Sequence, residues 1–333
     1  MNLLSHSNGV HKIKKEKLSM LKIFKRVMIC LLVLVAVGFV IQITTNFIDN
    51  TRLESRFKYV RIDGKKMEYK IKGNGSYTVV FDGSIVSGIY EWDNICKELE
   101  EDDDITTFIY KRRWYGFNDG GELRTPEEQA KDLRALLKKS GTTAPYILVG
   151  EEYGSLVATN FVKLYPDLVA GVVLVDPVSE EKINTNEFKK SIKYKYYRSK
   201  IESIGSNFAL TSLLSKIGLT MENDTFKNSI KDNELQEFKA LENKKNYKEA
   251  VSNEIENLYK GNSNSQSEGL LLNKPLYIIT ENEDENIKKI GNGEVTTIYK
   301  KELTGGPYSV LDPESIVNGI GTVLKEAKKL AKK

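Results

Sequence analysis

Fifteen consecutive residues, VMICLLVLVAVGFVI (27–41), carry no charged or hydrogen-bonding side chain apart from the Cys30 thiol. QITTNFI extends the run to about 20 residues, the length a helix needs to cross the ~30 Å hydrocarbon core of a bilayer. Lys12, Lys14, Lys15, Lys17, Lys22, Lys25 and Arg26 precede it. Flanking basic residues stay on the cytoplasmic side, so the chain after ~50 is expected outside the cytoplasm. VGFVIQITTNF lacks the small-residue pattern of a cleavage site, and Cys30 stands too early in the run for lipid attachment. The expected organisation is a basic cytoplasmic tail (1–26), a transmembrane signal-anchor helix (27–47) and a folded domain (57–333). The protein would be single-pass in the cell membrane, with its C-terminal domain extracytoplasmic.

From residue 57 the periodicity changes. YVRIDGKKMEYKIKG (59–73) alternates around Asp63-Gly64, a hairpin signal. YTVVFDG (77–83), ITTFIYK (105–111), PYILVG (145–150) and AGVVLVDP (170–177) are short apolar runs of the kind buried in a parallel sheet. Helical patterns separate them: WDNICKELEE, TPEEQAKDLRALLKKSG (125–141) and YGSLVATNFVKLYPD. The second opens with Thr125 as N-cap, Pro126 at the first helical position and Glu128 closing a capping box. This βαβ alternation predicts an α/β fold with a mostly parallel sheet covered on both faces. Residues 178–270 break the rhythm with polar helical pieces ending in GNSNSQSEG. KPLYIITE (274–281) and EVTTIYK (294–300) then restore strand character, and a last helix starts at Asp312-Pro313. An inserted helical lid fits better than an independent domain, because the sheet needs the late strands to complete its core.

Charge narrows the function. Residues 1–26 hold seven basic residues against Glu16, which leaves 43 basic and 45 acidic residues in the rest. A nearly neutral body gives no footprint for nucleic acid. Cys96 is the single cysteine of the expected exported part, so no intrachain disulfide forms there, and its plain reading is a buried helix residue. The run EEDDD (100–104) lacks the spacing and glycine of a calcium loop. No metal and no cofactor is expected.

The chemistry lies in PYILVGEEYG (145–154). An apolar strand running into Gly150, with Gly154 four residues on, has the outline of the nucleophile elbow G-x-S-x-G, but the central residue is Glu152. FDGSIVSGIYEWDNI, YKRRWYGFND, RTPEEQAKDLRALLKKSG, PYILVGEEYGSLVATNFVKLYPDLVAGVVLVDP and VLDPESIVNGI follow in order along the chain. Together they resemble the α/β-hydrolase superfamily, particularly its bacterial lid-containing members, over about 57–330. The resemblance implies an eight-stranded sheet, a lid after the sixth strand and a Ser-acid-His triad at the strand ends. It places the serine position at Glu152, with Glu151 before it. It also places the histidine on or next to Pro307, the acid near Glu281 and Asp284, and an oxyanion hole at Gly83 or Ser84 with the Tyr153 N–H.

The triad is degenerate. The chain has two histidines, His6 and His11, and both precede the apolar run. No imidazole can therefore serve as general base at the strand ends. Epoxide hydrolases and haloalkane dehalogenases of the superfamily carry Asp at the elbow and form an alkyl ester, which a histidine-activated water cleaves. The implied strand order brings Asp82, Lys111, Arg112 and Glu152 to one end of the sheet. The expectation is a salt-bridged plug of Glu152 or Glu151 with Lys111, Arg112 or Arg113, since a buried unpaired carboxylate costs several kcal/mol. The leading reading is a non-catalytic binding or scaffolding module, a pseudoenzyme that engages a small ligand, a lipid or an envelope protein. The alternative is a hydrolase that works through carboxylates on an ester or epoxide, with Glu152 as nucleophile or base and Glu281 or Asp284 assisting. A ligand-free structural protein of the envelope is the third.

Overall fold

Eight strands pair into one sheet in the order β1-β2-β4-β3-β5-β6-β7-β8 among the described residues. The computed structural model describes residues 19–53, 58–85, 89–208, 210–215, 217–221, 224–230, 232–303 and 306–332. The strands are β1 (Lys58–Ile62), β2 (Lys65–Lys72), β3 (Tyr77–Asp82), β4 (Ile105–Tyr110), β5 (Tyr146–Glu151), β6 (Val169–Val175), β7 (Leu276–Thr280) and β8 (Thr296–Lys300). β1 and β2 form an antiparallel hairpin whose turn residues, Asp63 and Gly64, both have positive φ (51° and 76°). That pair of left-handed residues matches the twist of the flanking strands. β2 is antiparallel to β4, and every later pairing is parallel.

Helix α1 (Met20–Leu53) precedes the sheet, and α2 (Asp93–Leu99), α3 (Pro126–Lys139) and α4 (Tyr153–Leu164) lie between β3 and β6. Between β6 and β7 come α5 (Glu180–Ile183), α6 (Asn186–Ser206), α7 (Leu210–Ser215), α8 (Asp224–Ser229), α9 (Asp232–Leu241) and α10 (Lys245–Lys260). α11 (Glu285–Lys288) joins β7 to β8, and α12 (Tyr308–Leu311) and α13 (Pro313–Leu330) end the chain. α3 starts with the expected capping box: Thr125 Oγ1 accepts from the Glu128 N–H, and the Glu128 carboxylate accepts from the Thr125 N–H at 2.8 Å.

The two-residue period of the strands sorts the core into two layers. Val80, Leu148, Val172 and Leu174 belong with Leu133, Leu136, Leu156 and Phe161 of α3 and α4. Val79, Phe81, Val149 and Val173 belong with Ile95 of α2 and Ile316 and Ile320 of α13. Cys96 is buried on α2, where desolvation outweighs the pull of Lys70 and pushes its thiol up to about 12. A third cluster, including Tyr115, Phe226, Phe238, Tyr247 and Val251, packs the insertion onto the sheet. Its return segment is pinned by Glu180, whose carboxylate accepts from the Ser265 N–H, Ser265 Oγ and Gln266 N–H, each at 2.8 Å.

α1 is longer than the span expected at 27–47. Its helix takes in Lys22, Lys25 and Arg26 at one end and runs to Leu53 at the other, because neither flank contains a proline to stop it. Within Met20–Thr45 an 18-residue window has a mean hydropathy of 2.8, with 6% of it buried. That is the length and composition of a membrane span, and a signal sequence shares the same profile. Lys12, Lys14, Lys15 and Lys17 lie outside the described residues.

Candidate functional site

The parallel register carries Asp82 of β3 alongside Gly150 of β5, so the ends of both strands open on the same side. β5 then turns into α4 through Glu152, whose backbone sits at φ 45°, ψ −112°, outside the regions an L residue ordinarily occupies. Small neighbours make the turn feasible. A Cβ on Gly150 would come 2.7 Å from the Gly154 carbonyl oxygen, and one on Gly154 would meet the carbonyls of Asp82 and Gly83. The Glu152 N–H donates to the Val175 carbonyl at 2.9 Å, and its own carbonyl accepts from the Ser155 N–H at 3.0 Å and Ser155 Oγ at 2.5 Å. With the backbone pinned in this way, the side chain projects into a cavity of about 1010 Å³ between the strand ends and the helical insertion.

That cavity is amphipathic. Ile183, Phe188, Val251, Ile255, Leu258 and Ile278 supply apolar wall, and Glu152, Asp176, Glu281 and Asp284 bring carboxylates to the strand ends. Lys182, Lys195, Arg198 and Lys288 line it as well. Burial and the neighbouring Asp176 carboxylate together raise Glu152 to about 7, with Lys195 pulling the other way. Asp176 ends β6 in a left-handed conformation of its own (φ 43°), and desolvation raises it too, against Lys182 and with Glu281 adding repulsion. Two strained residues at adjacent strand ends thus present carboxyl groups to the same space.

Glu151 points the other way, into the protein. It is fully buried and accepts from the Ser309 N–H at 3.1 Å and Ser309 Oγ at 2.6 Å. Burial raises it to about 8 against those hydrogen bonds, with the Glu152 charge pushing in the same direction as burial. The stretch TGGPYSVLDPE, where the resemblance places a histidine, therefore meets the elbow through Ser309.

The expected plug does not form. Arg112 Nε and Nη2 donate to the two Glu254 oxygens at 2.6 and 3.0 Å, and Nη1 bonds Asp82 and also the Gly83 carbonyl at 2.9 Å. Lys111 pairs with Glu68 (3.4 Å) and Glu237 (3.6 Å), and Arg113 with Asp132 (2.5 Å) and Asp63 (3.4 Å). Each cation has a carboxylate nearer than the elbow. For Arg112 and Lys111 one of those carboxylates, Glu254 or Glu237, comes from the insertion. Tyr115 Oη and Gln129 Nε2 also donate to Glu254, Tyr153 Oη donates to Gln129, and Asn257 donates to Tyr153 Oη. The whole set is buried and bolts α10 to the sheet.

Gly83, Ser84 and Tyr153 do lie together at the elbow. Gly154 packs against the Gly83 carbonyl, and Arg112 holds the carbonyls of Gly83 and Ser84. Tyr153 opens α4, where an N–H has no partner within the helical ladder. Both candidate acids, Glu281 and Asp284, line the cavity, and Asp284 also caps α11 by accepting from the Asn286 N–H at 2.8 Å. Asp176, Lys195 and Glu254 escaped sequence reasoning. For Asp176 a signal existed: an acidic residue closing the apolar run AGVVLVDP at a strand end.

The strand order and the elbow geometry agree with the comparisons to known proteins. A family model described as the alpha/beta hydrolase fold matches residues 77–223. The chain therefore has the α/β-hydrolase fold. It is similar to the uncharacterized protein YqjL of Bacillus subtilis (strain 168), 28% identical over 107 residues, which cover 32% of this chain and 42% of YqjL. It is also similar to the uncharacterized protein YbdG of the same strain, 29% identical over 130 residues, 37% of this chain and 38% of YbdG. The chain thus spans less than half the length of each of these curated relatives. Among solved structures, the Cif epoxide hydrolase from Acinetobacter nosocomialis superposes with a TM-score of 0.64 at 13% identity, covering 85% of this chain and 96% of that one. The epoxide hydrolase CorEH superposes with a TM-score of 0.61 at 15% identity, covering 81% and 98%. At such identities the likeness is one of fold.

Proposed function

We propose that this α/β-hydrolase-fold protein is a membrane-tethered binding module. It would hold an apolar molecule bearing a cationic or hydrogen-bond-donating group beneath the insertion, and would not hydrolyse it. The observation that carries the reading is the placement of Glu152. The elbow residue is a carboxylate facing a large amphipathic cavity beside Asp176, and both histidines of the chain lie at positions 6 and 11. Both carboxylates are raised by burial, Glu152 also by Asp176 and Asp176 also by Glu281, so they gain from a neighbouring cation or donor, and the apolar wall suits a hydrocarbon body. Neither needs a proton shuttle. Serine-type acyl transfer lacks both its nucleophile and its base here.

A second reading has one specific observation in its favour. Glu152 occupies the strained, cavity-facing turn from which a carboxylate could attack an epoxide or ester carbon. The resulting ester (from an epoxide) or mixed anhydride (from an ester) would then need a water activated by another group, and Asp176, Glu281, Glu283 and Asp284 line the cavity as available bases.

The two readings separate in one experiment on the purified full chain. Octylamine, octanol and octanoate are compared by thermal shift and titration, and a panel of epoxides and aryl esters is followed for turnover and for covalent mass on the peptide containing Glu152. Binding predicts that octylamine is preferred, that Glu152→Gln weakens it about tenfold or more, equivalent to roughly 1.4 kcal/mol, and that no adduct accumulates. A Glu152 ester, or turnover that vanishes in Glu152→Gln, would establish the hydrolase instead.

A further inference from the structure

The C-terminal half of α6 is built inside out. Its buried residues are Ser199, Glu202, Ser203, Gly205 and Ser206. The exposed large apolar and aromatic residues of the helix are Tyr194 (71% exposed), Tyr197 (53%), Ile201 (64%) and Ile204 (65%), with Phe208 (39%) just past its end. Spacings of three and four residues put all five on one stripe of the helix. A helix surrounded by water turns such a stripe toward the core.

The orientation is held by specific polar contacts. Glu202 accepts from Lys248 at 2.9 Å, from Arg198 at 3.1 Å and from the Met221 N–H at 2.8 Å, and Ser203 donates to Glu249 at 2.6 Å. Rolling the helix to bury its apolar face would break all of these and strand a buried carboxylate. Leu210, Ile217 and Leu219 are also exposed and enlarge the apolar surface.

We propose that this stripe rests on the lipid bilayer that α1 enters, with α6 lying in the membrane interface. Two observations select lipid as the occupant. The first is continuity with α1, whose own apolar side chains are exposed along Met20–Thr45. Gly38 of α1 lies against the Phe208 carbonyl, close enough that a Cβ there would collide with it. Gly38 is seven residues short of Thr45, about 10 Å along the helix axis, and an interfacial helix sinks its apolar face ~5–10 Å. The second is composition. Tyr194 and Tyr197 have the amphipathic rings that settle at headgroup level, and the exposed Lys190 and Lys193 beside them suit lipid phosphates.

Docking would place α6 between two environments. Ile192, Lys195 and Arg198 of the same helix line the cavity, so the edge of the cavity would abut the bilayer. The proposal rests on α1 as a membrane tether, and its test separates the two ideas.

The full chain, with Cys30→Ser and the buried Cys96 retained, is reconstituted in phosphatidylcholine–phosphatidylglycerol vesicles. It carries one spin label at Ile204→Cys, Val33→Cys or Lys325→Cys. Collision with oxygen and with a water-soluble nickel chelate is read by power saturation. The expected result is a lipid-like ratio at 204 and 33 and a water-like ratio at 325. A water-like 204 with a lipid-like 33 would overturn the docking of α6 and leave the tether standing. Spin–spin broadening at 204 that follows protein-to-lipid ratio would give the stripe to a second copy of the chain, overturning the proposal. Water-like ratios at both 204 and 33 would overturn tether and docking together.

Discussion

Ser309 donates from both its backbone N–H and its hydroxyl to the carboxyl group of Glu151, joining the start of α12 to the end of β5 across 158 positions of sequence. The bond occupies the junction where a hydrolase brings its histidine loop to the elbow. Here it is a structural latch, and it is charge-sensitive because burial pushes the Glu151 carboxyl up to about 8.

Glu151 should therefore weaken the fold as pH rises. Its folded pKa lies above the ordinary carboxylate value near ~4.3, so the folded state holds a proton that the unfolded state has released. Stability linked to this group is full below ~4.3 and declines as pH climbs towards about 8. Glu151→Gln keeps the shape, removes the titration and should melt higher than the wild type at pH 8, with little difference at pH 5. Thermal melts at the two pH values check it, and an equal shift at both would refute the assignment.

Glu152 should respond to its neighbours in opposite senses. Asp176→Asn removes a repelling charge and should lower the Glu152 pKa from about 7. Lys195→Met removes an attracting one and should raise it. Carboxyl-carbon NMR titration of the three proteins reads this directly. A Glu152 resonance that moves the same way in both variants would contradict the cavity electrostatics.

Arg112→Met should be the most damaging charge removal at the sheet end, since it leaves Asp82 and Glu254 buried without their cation. Breaking a buried pair on one side costs about 3–5 kcal/mol, a melting drop on the order of 10 °C for a domain of this size. A double-mutant cycle with Glu254→Gln should show strong coupling, whereas the corresponding cycle of Arg112 with Glu152 should be additive within about 0.5 kcal/mol.

That last contrast marks where the sequence stopped being legible. The strands, the Thr125–Glu128 cap, the Asp63-Gly64 turn and the elbow were readable because each is a local pattern in which neighbouring residues carry the signal. The partners of Lys111 and Arg112 were not. Glu237 and Glu254 lie in the insertion, and Glu254 is 142 positions from Arg112. The strand order brought Asp82 and Arg112 to one end of the sheet, where they bond each other. Without the insertion, nothing revealed that two of its carboxylates would reach Lys111 and Arg112. The inverted face of α6 was hidden for a related reason: YKYYRSKIESIGS mixes apolar and polar residues so evenly that it does not disclose which side is inward.

Gly154→Ala should fail or fold poorly. The added methyl meets backbone carbonyls of Asp82 and Gly83, which cannot swing aside as a side chain would. Circular dichroism of Gly154→Ala beside Gly293→Ala, where a Cβ meets open space, isolates the effect of the close approach.

Glu152 holds a backbone conformation that only glycine adopts freely, and such positions commonly cost about 1–3 kcal/mol. Glu152→Gly would relieve that strain and remove a carboxylate raised by burial, so on folding grounds alone it is an improvement within reach of a single substitution. The protein is thus metastable at the centre of its cavity with respect to its own sequence. Any selection for thermal robustness alone, such as a directed-evolution screen that ignores ligand binding, should arrive at residue 152 early.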